Sequence, residues 1–68
     1  MDTPRPISST GELLKAALAK EQQAHDFYDH AILQCKIKPV QELLERLKDE
    51  ETRHIRLIRD MLVKLELG

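Results

Sequence analysis

Three residues that could do chemistry stand in this sequence where apolar side chains are expected: Glu21, Glu51 and His54. Steps of three and four from Val40 give Val40, Leu44, Leu47, Glu51, His54, Ile58, Met61 and Leu65, which form one face of a helix. Only Glu51 and His54 interrupt it, side by side near its middle. The same walk from Leu14 gives Leu14, Leu18, Glu21, His25, Tyr28, Ile32 and Cys35, again with a carboxylate in mid-stripe. An unpaired buried carboxylate costs several kcal/mol or takes up a proton, and a cation offsets that cost. Glu51-Thr52-Arg53-His54 has the i, i+3 spacing that projects both side chains from one helical face toward one ion. Hard carboxylate oxygen with one imidazole suits iron or manganese, and a thiolate set for zinc is absent, Cys35 being the only cysteine.

One chain supplies Glu21, Glu51 and His54, too few ligands for two metals. Two chains packed as a four-helix bundle supply four carboxylates and two imidazoles. That is the ligand set of carboxylate-bridged di-iron bundles: one Glu from each of two helices, and Glu-x-x-His from each of the other two. A homodimer, or a larger assembly with an even number of chains, is therefore expected. His25, one turn after Glu21, is a further candidate ligand or a hydrogen-bond partner to one. Tyr28 could donate its hydroxyl to a ligand carboxylate or simply pack. Glu50 is expected to face solvent as an ion-pair partner or to support the ligands from behind; shifting the seam by one residue would bring it in place of Glu51. His30 is expected on the exposed face, and Cys35 and Met61 to pack as apolar residues.

The elements that must position these residues are two helices. Residues 1–10 carry two prolines and small polar residues and are expected to form a flexible arm, with the helical hairpin over 11–68. Ser9 followed three residues later by Glu12 is a capping-box pattern, and from about residue 10 to Cys35 nothing breaks a helix. Lys36-Ile37-Lys38 is the break, its lysines at the end of helix one where positive charge is favourable; Pro39 suits the first position of a second helix running to about Glu66. Each helix is about 25 residues, roughly 38 Å long, and the short connection makes them antiparallel. The expected fold is all-α: a two-helix antiparallel hairpin that dimerises into a ferritin-like four-helix bundle.

Composition narrows the function classes. A chain of 68 residues forms one small domain, of a size that often needs a metal, a disulfide or a partner. An internal disulfide is impossible with one cysteine. Charged residues make up 34% of the chain, yet the net charge is −1, so there is no basic footprint for nucleic acid and no field toward a membrane. One Phe and one Tyr offer no base-stacking platform, and no apolar run approaches the roughly 20 residues that span a bilayer. The lone cysteine and the absence of an apolar signal segment make a cytoplasmic location the expectation.

Glu21-Gln-Gln-Ala24-His25-Asp-Phe27-Tyr28 resembles the first ligand helix of rubrerythrins and other ferritin-like proteins. Asp49-Glu50-Glu51-Thr-Arg-His54 resembles their Asp-Glu-Glu-x-x-His segment, and together the two motifs extend the likeness over residues 12–65. The separation of Glu21 from Glu51 is similar to that in encapsulated ferritins, whose chains carry a half-bundle and complete the iron site across a dimer. The resemblance implies that Glu21, Glu51 and His54 bind iron as a shared di-iron centre. It implies a ferroxidase activity, the oxidation of Fe(II) to Fe(III) by dioxygen or peroxide. It also implies an encapsulating shell protein as a partner, although the sequence stops at Gly68, short of the extension and docking tail of that group. Phe27 stands where that group often has tryptophan, and the rubredoxin-like cysteines of full-length rubrerythrins have no counterpart.

Two other functions are compatible with the same residues. A helical-hairpin module could dimerise for assembly or partner binding without chemistry, its polar core residues fixing register. A metal carrier would keep the ligands and lack turnover.

Overall fold

The computed structural model of the protein describes residues 9–67. Most of the expected arm, residues 1–8, and Gly68 lie outside the described residues. Helix α1 spans Thr10–Gln34 and helix α2 spans Lys38–Leu67, with no strand among the described residues. α1 starts where Ser9 holds an extended conformation, φ −148° and ψ 156°, and its Oγ accepts the Glu12 N–H at 3.0 Å. Such a cap is worth about 1 kcal/mol. The helix stops at Cys35, whose backbone turns extended while its N–H still donates to the Ala31 carbonyl at 3.0 Å.

The connection is residues 35–37. The Gln41 N–H donates to the Ile37 carbonyl at 2.9 Å, which makes Pro39 the second helical residue rather than the expected first. Both positions lie in the turn whose N–H groups have no intrahelical acceptor, so proline costs nothing there. Lys36 sits in the connection and Lys38 opens α2, so no basic residue occupies α1's last turn. The Gln41 side-chain amide donates to the Cys35 carbonyl and ties the start of α2 to the end of α1. Farther along, Lys48 Nζ donates to Asp29 Oδ1 at 3.0 Å across the helix pair.

No described residue is fully buried, because two helices alone can cover only one face of each other. In α1 the half-buried residues include Leu14, Leu18, Glu21, His25, Tyr28, Ile32 and Cys35. In α2 the stripe is rotated from the expected one. Leu44, Leu47, Glu51 and Ile58 are half-buried, but Val40, His54, Met61 and Leu65 are exposed, and Gln41, Lys48, Ile55 and Leu62 are half-buried instead. The apolar face of α2 is wider than one neighbouring helix can cover, and α1 takes one flank of it.

The hairpin therefore has two unlike broad faces. Residues advance by about 100° each around a helix. That phase places Leu13 and Phe27 of α1 on the same side as Leu43, Leu57, Met61 and Leu65 of α2, all exposed. The opposite side carries Gln22, Asp26 and Asp29 of α1 with Lys48, Thr52 and Arg59 of α2. The first face is the more apolar of the two, although Lys20 and Glu50 share it, and the second is mainly polar, with Leu33 exposed on it; the site lies on the seam between them. No described helix is long and apolar enough to cross a membrane.

Candidate metal centre

Glu21 lies near the middle of α1, and Glu51 and His54 lie near the middle of α2, so antiparallel packing brings them to one depth. Glu21, Glu51 and His54 offer one ligand atom each within 4.8 Å of one another. His54 Nδ1 stands 3.5 Å from Glu21 Oε2 across the helix pair and 3.8 Å from Glu51 Oε2 along its own helix. The side chains form a gradient of exposure: Glu51 is 17% exposed, Glu21 30% and His54 47%. His54 is thus the member nearest the open apolar face.

Glu51 Oε2 is a buried oxygen without a hydrogen-bond partner among the described residues. A lone pair removed from water and given no donor costs about 1–3 kcal/mol. Chains rarely tolerate this without a reason, and an unfilled ligand position is one. The other donors are a carboxylate oxygen and a ring nitrogen, a set that suits a hard or borderline cation such as ferrous iron or manganese. The residues present fit such an ion.

The other candidates fall elsewhere. His25 is not among the converging atoms; its Nδ1 lies 3.4 Å from Asp26 Oδ1, on the polar side of the seam. Tyr28 meets Phe27 edge to face, with centroids 5.5 Å apart and planes at 72°, and no hydrogen bond joins its hydroxyl to a described residue. Glu50 is exposed. His30 is exposed and its Nδ1 donates to the Asp26 carbonyl at 2.8 Å. Lys48 beside Asp29 holds that carboxyl below the usual range, through the hydrogen bond first and its charge second.

The seam walk did not anticipate a groove of about 380 Å³ on the polar face, lined by Gln22, His25, Asp26, Thr52, Ile55 and Arg59. The signal was in the sequence: Gln22 and Thr52 directly follow Glu21 and Glu51, and His25 and Ile55 come one turn after them.

The profile of the rubrerythrin family matches residues 12–68, which include both helices' ligand motifs and all three converging residues. The chain belongs to the rubrerythrin family. No curated protein and no solved structure matches it. Rubrerythrin-like domains typically bind iron, and among the described residues the trio on the seam is a carboxylate and imidazole group whose ligand atoms converge.

Proposed function

We propose that two copies of this chain pack apolar face to apolar face as a ferritin-like four-helix bundle, and that the pooled Glu21, Glu51 and His54 residues hold a di-iron centre with ferroxidase activity. The observation that carries this reading is the unpartnered, buried Glu51 Oε2 within ion-pair distance of His54 in a half-set of ligands. Such an oxygen finds its missing partner when a cation binds. The gradient of exposure supports the second copy: His54 is exposed on the same side of α2 as Leu43, Leu57 and Met61, apolar side chains that a second copy would cover.

Each residue then has a task. Glu21 and Glu51 supply anionic oxygen, which favours the more highly charged ferric state over the ferrous one. His54 presents Nδ1 toward them; as a ligand it must carry its proton on Nε2, leaving the Nδ1 lone pair free. Leu57 and Met61, covered by the partner copy, exclude water from the flank of the centre. Iron, when bound, would supply the one-electron couple: two ferrous ions would give the two electrons that, with two protons, reduce one dioxygen to hydrogen peroxide.

The test is iron content, mass and oxygen uptake after aerobic addition of ferrous iron, with Glu51→Ala alongside. About one iron per chain in an even-numbered assembly, lost in the variant, supports the shared centre. Iron without consumption of oxidant makes the protein a carrier. An assembly that takes up no metal and is indifferent to Glu51→Ala makes it a structural module.

A further inference from the structure

The groove on the polar face lies against the other side of the same seam. Gln22 and His25 flank Glu21 on α1, and Thr52 and Ile55 flank Glu51 on α2, so the groove is lined by sequence neighbours of the two carboxylates. On the two-copy reading above, on which this inference rests, the partner closes the apolar face and with it the exposed side of His54. A hydrated cation must then reach the carboxylates from the polar side.

Two ligand atoms wait there. His25 Nδ1 and Asp26 Oδ1 are 3.4 Å apart, with the side chains 30% and 73% exposed. Neighbours in a helix ordinarily diverge by about 100°, so this convergence is a specific arrangement of the two side chains. Two donors bound side by side to one ion, with bonds of about 2.1 Å, stand roughly 3 Å apart. The pair needs only a few tenths of an ångström to close on a cation. Arg59, also lining the groove, adds a positive charge that opposes Asp26 and keeps cation affinity low. Weak binding is what a point of passage requires, since an ion held tightly there would not move on.

We infer that this groove is the entry route for ferrous iron, with His25 and Asp26 as transient ligands for the incoming ion. They are then separate from the resident set, and they govern the rate of loading rather than the amount loaded.

The experiment loads the chain with ferrous iron without oxygen. It follows iron uptake by chelator quench and measures iron per chain at equilibrium. Asp26→Asn and His25→Gln should reach the wild-type iron content but load about fivefold or more slowly at low ionic strength, and the Asp26→Asn deficit should shrink as salt is added. Asp26→Glu, which keeps charge and a chelating oxygen, should restore the rate, and Arg59→Gln should load faster than wild type. Both positions have exposed or half-exposed side chains, and helix content by circular dichroism verifies that each variant is folded. Equal loading rates in folded variants overturn the inference. A loss of iron per chain also overturns it, because the pair would then be resident ligands. A wild-type iron content unaffected by Glu51→Ala overturns the di-iron reading itself and this inference with it, so the two failures are distinguishable.

Discussion

Replacing Glu51 with leucine separates a ligand from a structural residue, because the two roles give effects of opposite sign. Glu51 Oε2 is buried without a hydrogen-bond partner among the described residues. Removing such an unsatisfied oxygen relieves about 1–3 kcal/mol. The side chain is only 17% exposed, so leucine also gains contact with α1. For a domain of this size, 1 kcal/mol shifts the melting temperature by about 4–8 °C, and relief of about 1–3 kcal/mol should make Glu51→Leu melt about 4–24 °C above wild type in chelator. Ferrous iron at a thousand times its dissociation constant adds about 4.1 kcal/mol to the form that binds it. Only wild type should gain it, and the order of stability should reverse. The assay is thermal unfolding by circular dichroism, without oxygen, at one fixed protomer concentration, with chelator or ferrous iron. Glu51→Gln is the control: it keeps the shape, leaves the amide unpaired and should gain less than leucine. A leucine variant that melts below wild type in chelator would refute the argument. So would one that iron stabilises as much as wild type.

Leu57 is 61% exposed on the apolar face, so Leu57→Lys should leave the hairpin's helix content unchanged while shifting the mass measured by light scattering to the single chain and abolishing shared iron binding. Asp29 titrates below its ordinary range because of Lys48; its contribution to stability is present above the unfolded value near 3.9 and is lost as pH falls from there through the folded value. Lys48→Met should therefore move the Asp29 carboxyl resonance up toward the ordinary range in a pH titration by nuclear magnetic resonance, and remove that pH dependence. A Cβ at Gly11 would meet only Ser9 Oγ, at 3.9 Å, and its backbone angle suits any residue. Gly11→Ala should then stabilise by about 0.4–1 kcal/mol, read as a rise in melting temperature, with iron binding unchanged.

Much of α1 was legible because its apolar stripe is narrow. Leu14, Leu18, Glu21, His25, Tyr28, Ile32 and Cys35 are all half-buried against α2, and alanines, glutamines and charges fill most of the rest of that helix, with Leu13, Phe27 and Leu33 exposed. α2 was less legible because its apolar residues cover more than a third of its circumference. Val40, Leu43, Leu57, Met61 and Leu65 share the breadth with Leu44, Ile55, Ile58 and Leu62, and a walk by threes and fours traces a line through the middle of both sets. Hydrophobic spacing reports that a face avoids water but not which neighbour covers it. Within one hairpin α1 covers the flank containing Ile55 and Leu62, which leaves the other flank, and His54 with it, in the open.

The same limit applies to the site. Glu51 and His54 were readable as a pair because they interrupt an apolar line at a spacing that one ion explains, and Glu21 because it does so at matching depth. The Glu-x-x-His spacing set His54 ahead of His25 as a ligand candidate, but the opposite faces the two imidazoles occupy were not readable, since each follows a mid-stripe glutamate within about one turn. That placement depends on a small difference in phase. His25 comes four residues after Glu21 and rotates toward the polar side; His54 comes three after Glu51 and rotates toward the apolar side. With the helices antiparallel, those two rotations carry the imidazoles to opposite faces of the hairpin. One imidazole joins the carboxylates on the exposed apolar side, and the other stands beside Asp26 at the groove on the polar side.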